Sequence, residues 1–119
     1  MNEEEKIFDL EERTAKFGEQ ILIFTKKTRD DNINRPLISQ LVRSGTSVGA
    51  NYMEACGGES KKDFMHKIGI CKKEAKETMH WLRMVAVVNE DKREECRVLW
   101  KEAHELVLIF SKIFRNNLN

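Results

Sequence analysis

The chain has 119 residues, a formal net charge of +1, six glycines and one proline. This length fits one domain and leaves no room for a second core. The near-neutral total excludes a strongly basic nucleic-acid binder. With 40% hydrophobic and 34% charged residues, the composition favours long amphipathic helices over a β-rich fold.

Charge is unevenly distributed along the chain. Residues 1–12 contain six acids and one lysine, a local sum of −5, so the remaining residues carry +6. An acidic first turn complements the helix dipole and favours solubility, which is the simplest interpretation of this segment. The mildly basic remainder leaves room for a local cationic surface.

Cys56, Cys71 and Cys96 form no CxxC pair, and their number is odd. Reduced thiols in a cytoplasmic protein are the simplest interpretation. The sequence has neither a signal-peptide pattern nor an apolar run of about 20 residues, the length that spans a bilayer. We therefore expect a cytoplasmic protein with no membrane partner.

Four segments carry apolar residues at alternating spacings of three and four, the period of one helix face. They predict helices over approximately residues 4–29, 35–56, 60–88 and 91–116. Four such stripes joined by short polar connections cannot be buried singly. We therefore predict an all-α, antiparallel up-down-up-down four-helix bundle, a single domain over residues 1–119.

Several residues predict where the helices begin and end. Asn34 is suited to cap the second helix. Gly57 and Gly58 are suited to the left-handed conformation that closes a helix. Ser60, with Asp63 three residues later, resembles a capping box at the start of the third helix.

The last two helices carry more apolar residues than one buried stripe requires. A bundle helix normally exposes the side opposite its core, so this width indicates either a wider monomer core or a subunit interface. The additional residues are Met79, Trp81 and Met84 on the third helix, and Trp100, Val107 and Phe114 on the fourth.

The middle of the second helix has weak helix propensity because Gly45 and Gly49 each cost about 1 kcal/mol relative to alanine. Spaced by four, they lie on nearly one face and predict close approach of a neighbouring backbone. A phosphate-binding glycine loop is the functional alternative, but no Gly-Lys-Ser/Thr follows and no strand precedes.

Three segments carry a resemblance to a known family. Residues 43–54, RSGTSVGANYME, resemble the pattern R-x-x-T-S-[IV]-x-A-N-[IY]-x-E of the family called four helix bundle protein. Residues 60–64 and 73–82 resemble its S-x-x-[DE]-F and K-E-A-x-E-[ST]-x-[YH]-W-L segments. The family includes proteins encoded in intervening sequences of large-subunit ribosomal RNA genes. Gly49 departs from the pattern, since many relatives have proline there.

The resemblance implies antiparallel four-helix protomers that assemble into rings, typically homopentamers, with no established enzymatic activity. A relative, the accessory protein of diversity-generating retroelements, binds nucleic acid and a reverse transcriptase through a basic ring surface. A structural role is implied for the residues of this chain that match the motif, namely Arg43, Ser47, Asn51, Glu54, Glu77 and Trp81.

The matching residues form two polar rows on helical geometry. Those of the second helix follow one another at spacings of four, four and three from Arg43, beside the apolar stripe. Glu74, Glu77 and Trp81 form a similar row on the third helix. Our hypothesis is that Arg43 pairs with a carboxylate of one of these rows and fixes the register between helices or subunits.

No metal, cofactor or small-molecule site is predicted. Glu77 and His80 have the Glu-x-x-His spacing of a bundle di-iron site, but such sites need two of these motifs and two further glutamates. Arg97 and His104 match the loose R-x(4–6)-H pattern of helical ribonucleases of the HEPN family. Because a two-residue pattern arises readily by chance, we predict no catalytic residue and keep ribonuclease activity as a lesser alternative.

The third helix and its approach carry seven cations against Glu59, Asp63, Glu74 and Glu77, a sum of +3. These cations could follow a phosphate backbone and give salt-sensitive, sequence-independent binding. We therefore expect a homo-oligomer that binds RNA or DNA through this face; the alternative is a purely structural or protein-binding scaffold. The candidate nucleic-acid-binding residues are Lys61, Lys62, Lys67, Lys72, Lys73, Lys76 and Arg83.

Overall fold

The computed structural model describes residues 9–118, and all the regular structure in that range is helical. The predicted all-α four-helix fold is confirmed. The start of the predicted first helix, with most of the acidic segment 1–12, lies outside the described residues. The elements are α1 (Leu10–Lys26), α2 (Asn34–Cys56), α3 (Lys61–Val88), a short 3-10 turn (Glu90–Lys92) and α4 (Arg93–Asn116).

Each helix packs on the next along the chain, and α1 meets α4 in the narrowest of the four seams. Side-chain pairs show that neighbours run in opposite directions. Arg13 of α1 binds Glu102 of α4, whereas Lys27, just past the other end of α1, binds Glu95. The described residues form an elongated bundle measuring 47 × 27 × 20 Å. No helix among residues 9–118 combines the length and apolar character needed to cross a membrane.

The core is formed by the apolar stripes that the sequence predicts. Phe17 and Phe24 of α1 and Phe110 of α4 are among the largest fully buried side chains. Tyr52 of α2 lies with its ring centroid 6.1 Å from that of Phe110, which joins the diagonal pair of helices. Burial of these stripes, rather than local propensity, supplies most of the helix stability.

Close packing of α2 on α1 explains the glycines of α2, as predicted. A Cβ added to Gly45 would lie 2.9 Å from Cγ1 of Ile21, nearer than side chains tolerate. A Cβ on Gly49 would lie 3.2 Å from the backbone carbonyl of Thr14. Helix α2 runs from Asn34 to Cys56 as one helix, so these glycines do not interrupt it.

Three predicted helix ends differ from the structure. Asp31 rather than Asn34 caps α2, since its Oδ1 accepts from the backbone N–H groups of Ile33 and Asn34 at 3.1 and 2.8 Å. These bonds hold the pKa of Asp31 below its ordinary value. Gly57 ends α2 with φ −93°, so no left-handed residue is used. A 3-10 turn precedes α4, which therefore begins at Arg93 rather than residue 91.

The start of α3 agrees with the predicted cap. The Oγ of Ser60 accepts from the backbone N–H of Asp63 at 3.1 Å, half of a capping box.

Candidate functional site: the two sides of helix α3

One side of α3 forms a polar seam with α2, which we call the α2–α3 seam (Arg43, Glu74, Glu77 and Trp81). Arg43 of α2 binds Oε2 of Glu74 at 3.2 Å and also Oε2 of Glu77. That oxygen of Glu77 additionally accepts from Nε1 of Trp81 at 2.9 Å. The ion pair hypothesised for Arg43 is therefore present, within one protomer. Glu74 is only 12% exposed, so the guanidinium neutralises a nearly buried charge.

The other residues of the predicted polar row make local contacts. The Oγ of Ser47 donates to the carbonyl of Arg43 at 2.5 Å, and Nδ2 of Asn51 donates to the carbonyl of Ser47 at 2.8 Å. Glu54 binds Lys67 of α3 at 3.1 Å. The family-motif residues therefore bond within α2, bond within α3 or hold α2 against α3.

Two buried polar pairs between α2 and α3 were not found from the sequence. The hydroxyls of Ser44 and Thr78 lie 3.0 Å apart in the core. Asn34 and Asn89 exchange amide hydrogen bonds of 3.3 and 2.8 Å at the end of the bundle where α2 begins and α3 has just ended. Asn34 has the character of a helix cap and Asn89 lies in the polar connection after α3, so neither position indicates a buried pair.

The other side of α3 carries the cations. On helical geometry, six of the seven candidates lie within one sector on the side away from the α2–α3 seam, and we call this the α3 outer face. Within residues 9–118, none of the six forms an ion pair, whereas Lys67 faces α2 and binds Glu54. The structure thus separates Lys67 from the other candidates. The α3 outer face consists of Lys61, Lys62, Lys72, Lys73, Lys76 and Arg83.

The α3 outer face continues into a groove where α3 meets α4, which we call the α3–α4 groove. It is an open depression of about 200 Å³. Trp100 lies in it 36% exposed, and the lining includes no carboxylate among the described residues. Sequence reasoning missed this cluster, although the spacing of Arg93, Arg97 and Trp100 on one helix face could have indicated it. The lining residues are Leu82, Arg83, Ala86, Arg93, Cys96, Arg97 and Trp100.

The additional apolar residues of α3 and α4 divide between the two interpretations. Met79 and Trp81 pack against the core cluster, and Val107 belongs to it, so these residues widen the monomer core. Trp100 and Phe114 are each 36% exposed and remain available to a partner.

The residues weighed for chemistry have other contacts. The carboxylate of Glu77 is engaged by Arg43 and Trp81, and His80 lies edge-on to the Trp81 ring at 4.8 Å. In the part of the chain described, no group of three His, Cys, Asp or Glu side chains is placed to hold a metal ion. His104 packs on Trp100, with ring centroids 5.3 Å apart, and Trp100 separates it along α4 from Arg97.

The cysteines are unpaired thiols. Burial raises the pKa of Cys71 to about 12 and that of Cys96 to about 11. Both thiols are therefore protonated at neutral pH and behave as small hydrophobic side chains, and Cys71 donates weakly to the carbonyl of Val48 at 3.6 Å. Cys56 is exposed.

The helix order and the α2–α3 seam define an antiparallel four-helix bundle protein. The model of the family 23S rRNA-intervening sequence protein matches residues 8–112, and the chain belongs to that family. No significant match is found among curated protein sequences.

A solved structure supports the same assignment. The chain is similar to a protein of unknown function from the S23 ribosomal protein family of Bacteroides thetaiotaomicron, whose crystal structure was determined at 1.70 Å resolution. The two are 28% identical, with a TM-score of 0.78 over 87% of this chain and 96% of the other. The family match and the structural match therefore both indicate the same helical architecture.

Proposed function

We propose that this protein is a cytoplasmic, non-enzymatic homo-oligomer that binds RNA or DNA through the α3 outer face. Binding is to the phosphate backbone and so depends strongly on salt and weakly on sequence. The family is named after intervening sequences of 23S rRNA, and RNA is therefore the first ligand to test.

The separation of charge around α3 carries the proposal. The acids Glu74 and Glu77 are directed to the α2–α3 seam, where both bind Arg43. The cations of the opposite side have no acidic partner among residues 9–118, so their field is not cancelled locally. A one-signed surface of this kind attracts polyanions even when the total charge is near zero.

The positions of three lysines support backbone contact in particular. Lys72, Lys73 and Lys76 lie within little more than one turn, in the middle of α3. Arg83 lies about 16 Å from Lys72 along the helix axis at 1.5 Å per residue. This length of surface is sufficient for several phosphates of a single strand.

Self-association is supported by apolar surface at the seam between α1 and α4. Ile23 and Val98 are both exposed and line one depression there, together with Phe24 and Leu99. We expect a homopentamer, following the family resemblance, and thus a particle of about 70 kDa from a 13.9 kDa chain. Light scattering coupled to gel filtration measures this mass, and a monomer at micromolar concentration would contradict oligomerisation.

The binding test uses fluorescence anisotropy of a labelled 12-nucleotide RNA at several salt concentrations. The triple variant Lys72→Gln, Lys73→Gln, Lys76→Gln is expected to reduce the slope of log affinity against log salt by about 2, since each contact to single strands contributes about 0.7. A matched triple variant, Lys16→Gln, Lys26→Gln, Arg29→Gln, removes the same charge from exposed positions in and just after α1.

The matched variant is expected to stay close to wild type in both affinity and slope. Equal losses in the two triple variants would show that net charge alone governs binding. Absence of salt-dependent binding by the wild-type protein would overturn the proposal and leave a structural or protein-binding scaffold.

A further inference from the structure

We propose that the α3–α4 groove is a base-stacking site, in which Trp100 receives an unpaired base of a single-stranded nucleic acid while Arg83, Arg93 and Arg97 hold its phosphates. This inference rests on the proposed function and specifies its ligand as single-stranded. It adds a second recognition element, on α4, to the lysines of α3.

The geometry places an aromatic ring among arginine side chains. Arg93, Arg97 and Trp100 follow one another on α4 at spacings of four and three, so they lie along one face of that helix. Arg83 contributes from α3 on the opposite wall. The indole is 36% exposed, and the His104 ring packs on it with centroids 5.3 Å apart and the ring planes tilted by 31°.

The arginines are available to phosphates. Within residues 9–118, Arg83 and Arg93 form no ion pair. Arg97 has only Glu94, at 3.8 Å, and both side chains are largely exposed. Such a long surface pair is worth little, so a phosphate can replace the carboxylate at low cost. Arginine also provides the forked donors that suit phosphate oxygens.

The dimensions and charge favour a single strand over other occupants. An α-helix, about 10–12 Å across with its side chains, does not fit a depression of about 200 Å³. Bases in a duplex are stacked on one another, so only an unpaired base has a face free for the indole. The arginines that line the groove favour a polyanion such as a nucleic acid over a neutral or cationic partner.

The groove adjoins the α3 outer face, which supports contact between a bound strand and Trp100. Lys72, Lys76 and Arg83 lie on one sector of α3 and lead towards the groove. A strand whose phosphates follow these cations arrives at Trp100 without leaving the basic surface. Stacking on aromatic side chains combined with a basic track is the usual means of binding single strands without sequence preference.

The test compares a fluorescein-labelled 12-nucleotide oligouridylate with an RNA duplex of the same length. Trp100→Ala is expected to weaken single-strand binding by about 5- to 150-fold and to leave the salt slope and duplex binding unchanged. Trp100→Phe is expected to retain affinity within about threefold, because a ring remains for stacking. The Arg93→Gln, Arg97→Gln variant is expected to lower the salt slope by about 1.4.

Phe114→Ala provides the matched control, since Phe114 is an equally exposed aromatic of α4 outside the groove. Its single-strand affinity is expected to stay within about twofold of wild type. A second readout uses Trp81→Phe, which leaves Trp100 as the sole tryptophan of the chain. Oligouridylate is expected to quench the fluorescence of that protein, which reports stacking even if Trp100→Ala fails to fold.

Unchanged single-strand affinity in folded Trp100→Ala, or absence of quenching, would overturn the stacking site. If the lysine triple variant still loses affinity in that case, the proposed function stands and only the groove is wrong. If the wild-type protein binds no nucleic acid, the proposed function fails and the stacking site fails with it.

Discussion

Helix α3 meets a different environment on each of its two polar sides. In the α2–α3 seam, Arg43, Glu74, Glu77 and Trp81 satisfy one another within the protomer. In the α3–α4 groove, Arg83, Arg93 and Arg97 surround an exposed indole without a carboxylate in the lining. A closed network specifies the fold, whereas an open one-signed surface is suited to a ligand.

The residues that match the family pattern are different from those that we propose to bind nucleic acid. Arg43, Glu54, Glu77 and Trp81 match the pattern, and their side chains are engaged in the seam or with Lys67. Trp100 lies outside that pattern. The most recognisable residues of this chain therefore mark how the helices pair, and the candidate ligand contacts lie on the other side of α3.

The largest expected effect contrasts a glycine in a packed position with one in an open position. Gly45→Val is expected to lower the free energy of unfolding by about 2–3 kcal/mol, because even its Cβ would overlap the Ile21 side chain. Gly69→Ala on α3 is expected to raise it by about 0.5–1 kcal/mol, since nothing lies within 4 Å of the new methyl group. Urea unfolding measures both, and equal effects would contradict the packing described.

A second prediction contrasts buried and exposed thiols. The raised pKa values of Cys71 and Cys96 favour the protonated form in the folded state. Their contribution to stability is complete below the ordinary thiol pKa of 9.0 and is lost as pH rises towards about 11 for Cys96 and about 12 for Cys71. We expect the free energy of unfolding at pH 10 to be about 2 kcal/mol lower than at pH 7.

Two measurements check this pH dependence. The Cys71→Ala, Cys96→Ala variant is expected to be less stable at pH 7 but to lose less stability on going to pH 10. Alkylation of the native wild-type protein at neutral pH is expected to modify Cys56 first, because it is exposed. A pH dependence that is unchanged in the double variant would show that other groups cause it.

A smaller effect is expected when the two arginine environments are compared directly. Arg43→Met is expected to cost about 1 kcal/mol of stability, because it leaves Glu74 nearly buried without its cation, while the half-exposed arginine limits the loss. Arg93→Met in the groove is expected to change stability by less than about 0.5 kcal/mol. A coupling energy near zero between Arg43→Met and Glu74→Gln in a double-mutant cycle would contradict the closed network.

The fold was predictable from the sequence because the apolar period is clear in all four segments. Phe17, Leu41, Leu82 and Leu106 are buried as their spacing indicates. Helix ends were less predictable, since the cap of α2 comes from Asp31 and not from the expected Asn34. Several short polar residues in a turn can each cap, and only the three-dimensional path of the chain selects one.

The candidate site was predictable only in part. The cations of α3 were visible as a local excess, but separating Lys67 from the others required its contact with Glu54. The groove was missed because its two walls come from α3 and α4, and a sequence gives no direct sign of which cations meet across helices. The buried pair of Asn34 and Asn89, 55 positions apart, was missed for the same reason.

Acetylation of lysines by an N-hydroxysuccinimide ester, followed by mass spectrometry with and without a 12-nucleotide oligouridylate, tests the central claim most directly. The claim is that nucleic acid covers the α3 outer face and the adjoining α3–α4 groove and no other face. Lys72, Lys73 and Lys76 are expected to react several-fold more slowly with RNA present, while Lys16 and Lys26, exposed on α1, react at unchanged rates. Equal protection of all these lysines, or protection of Lys16 and Lys26 instead, would contradict the account.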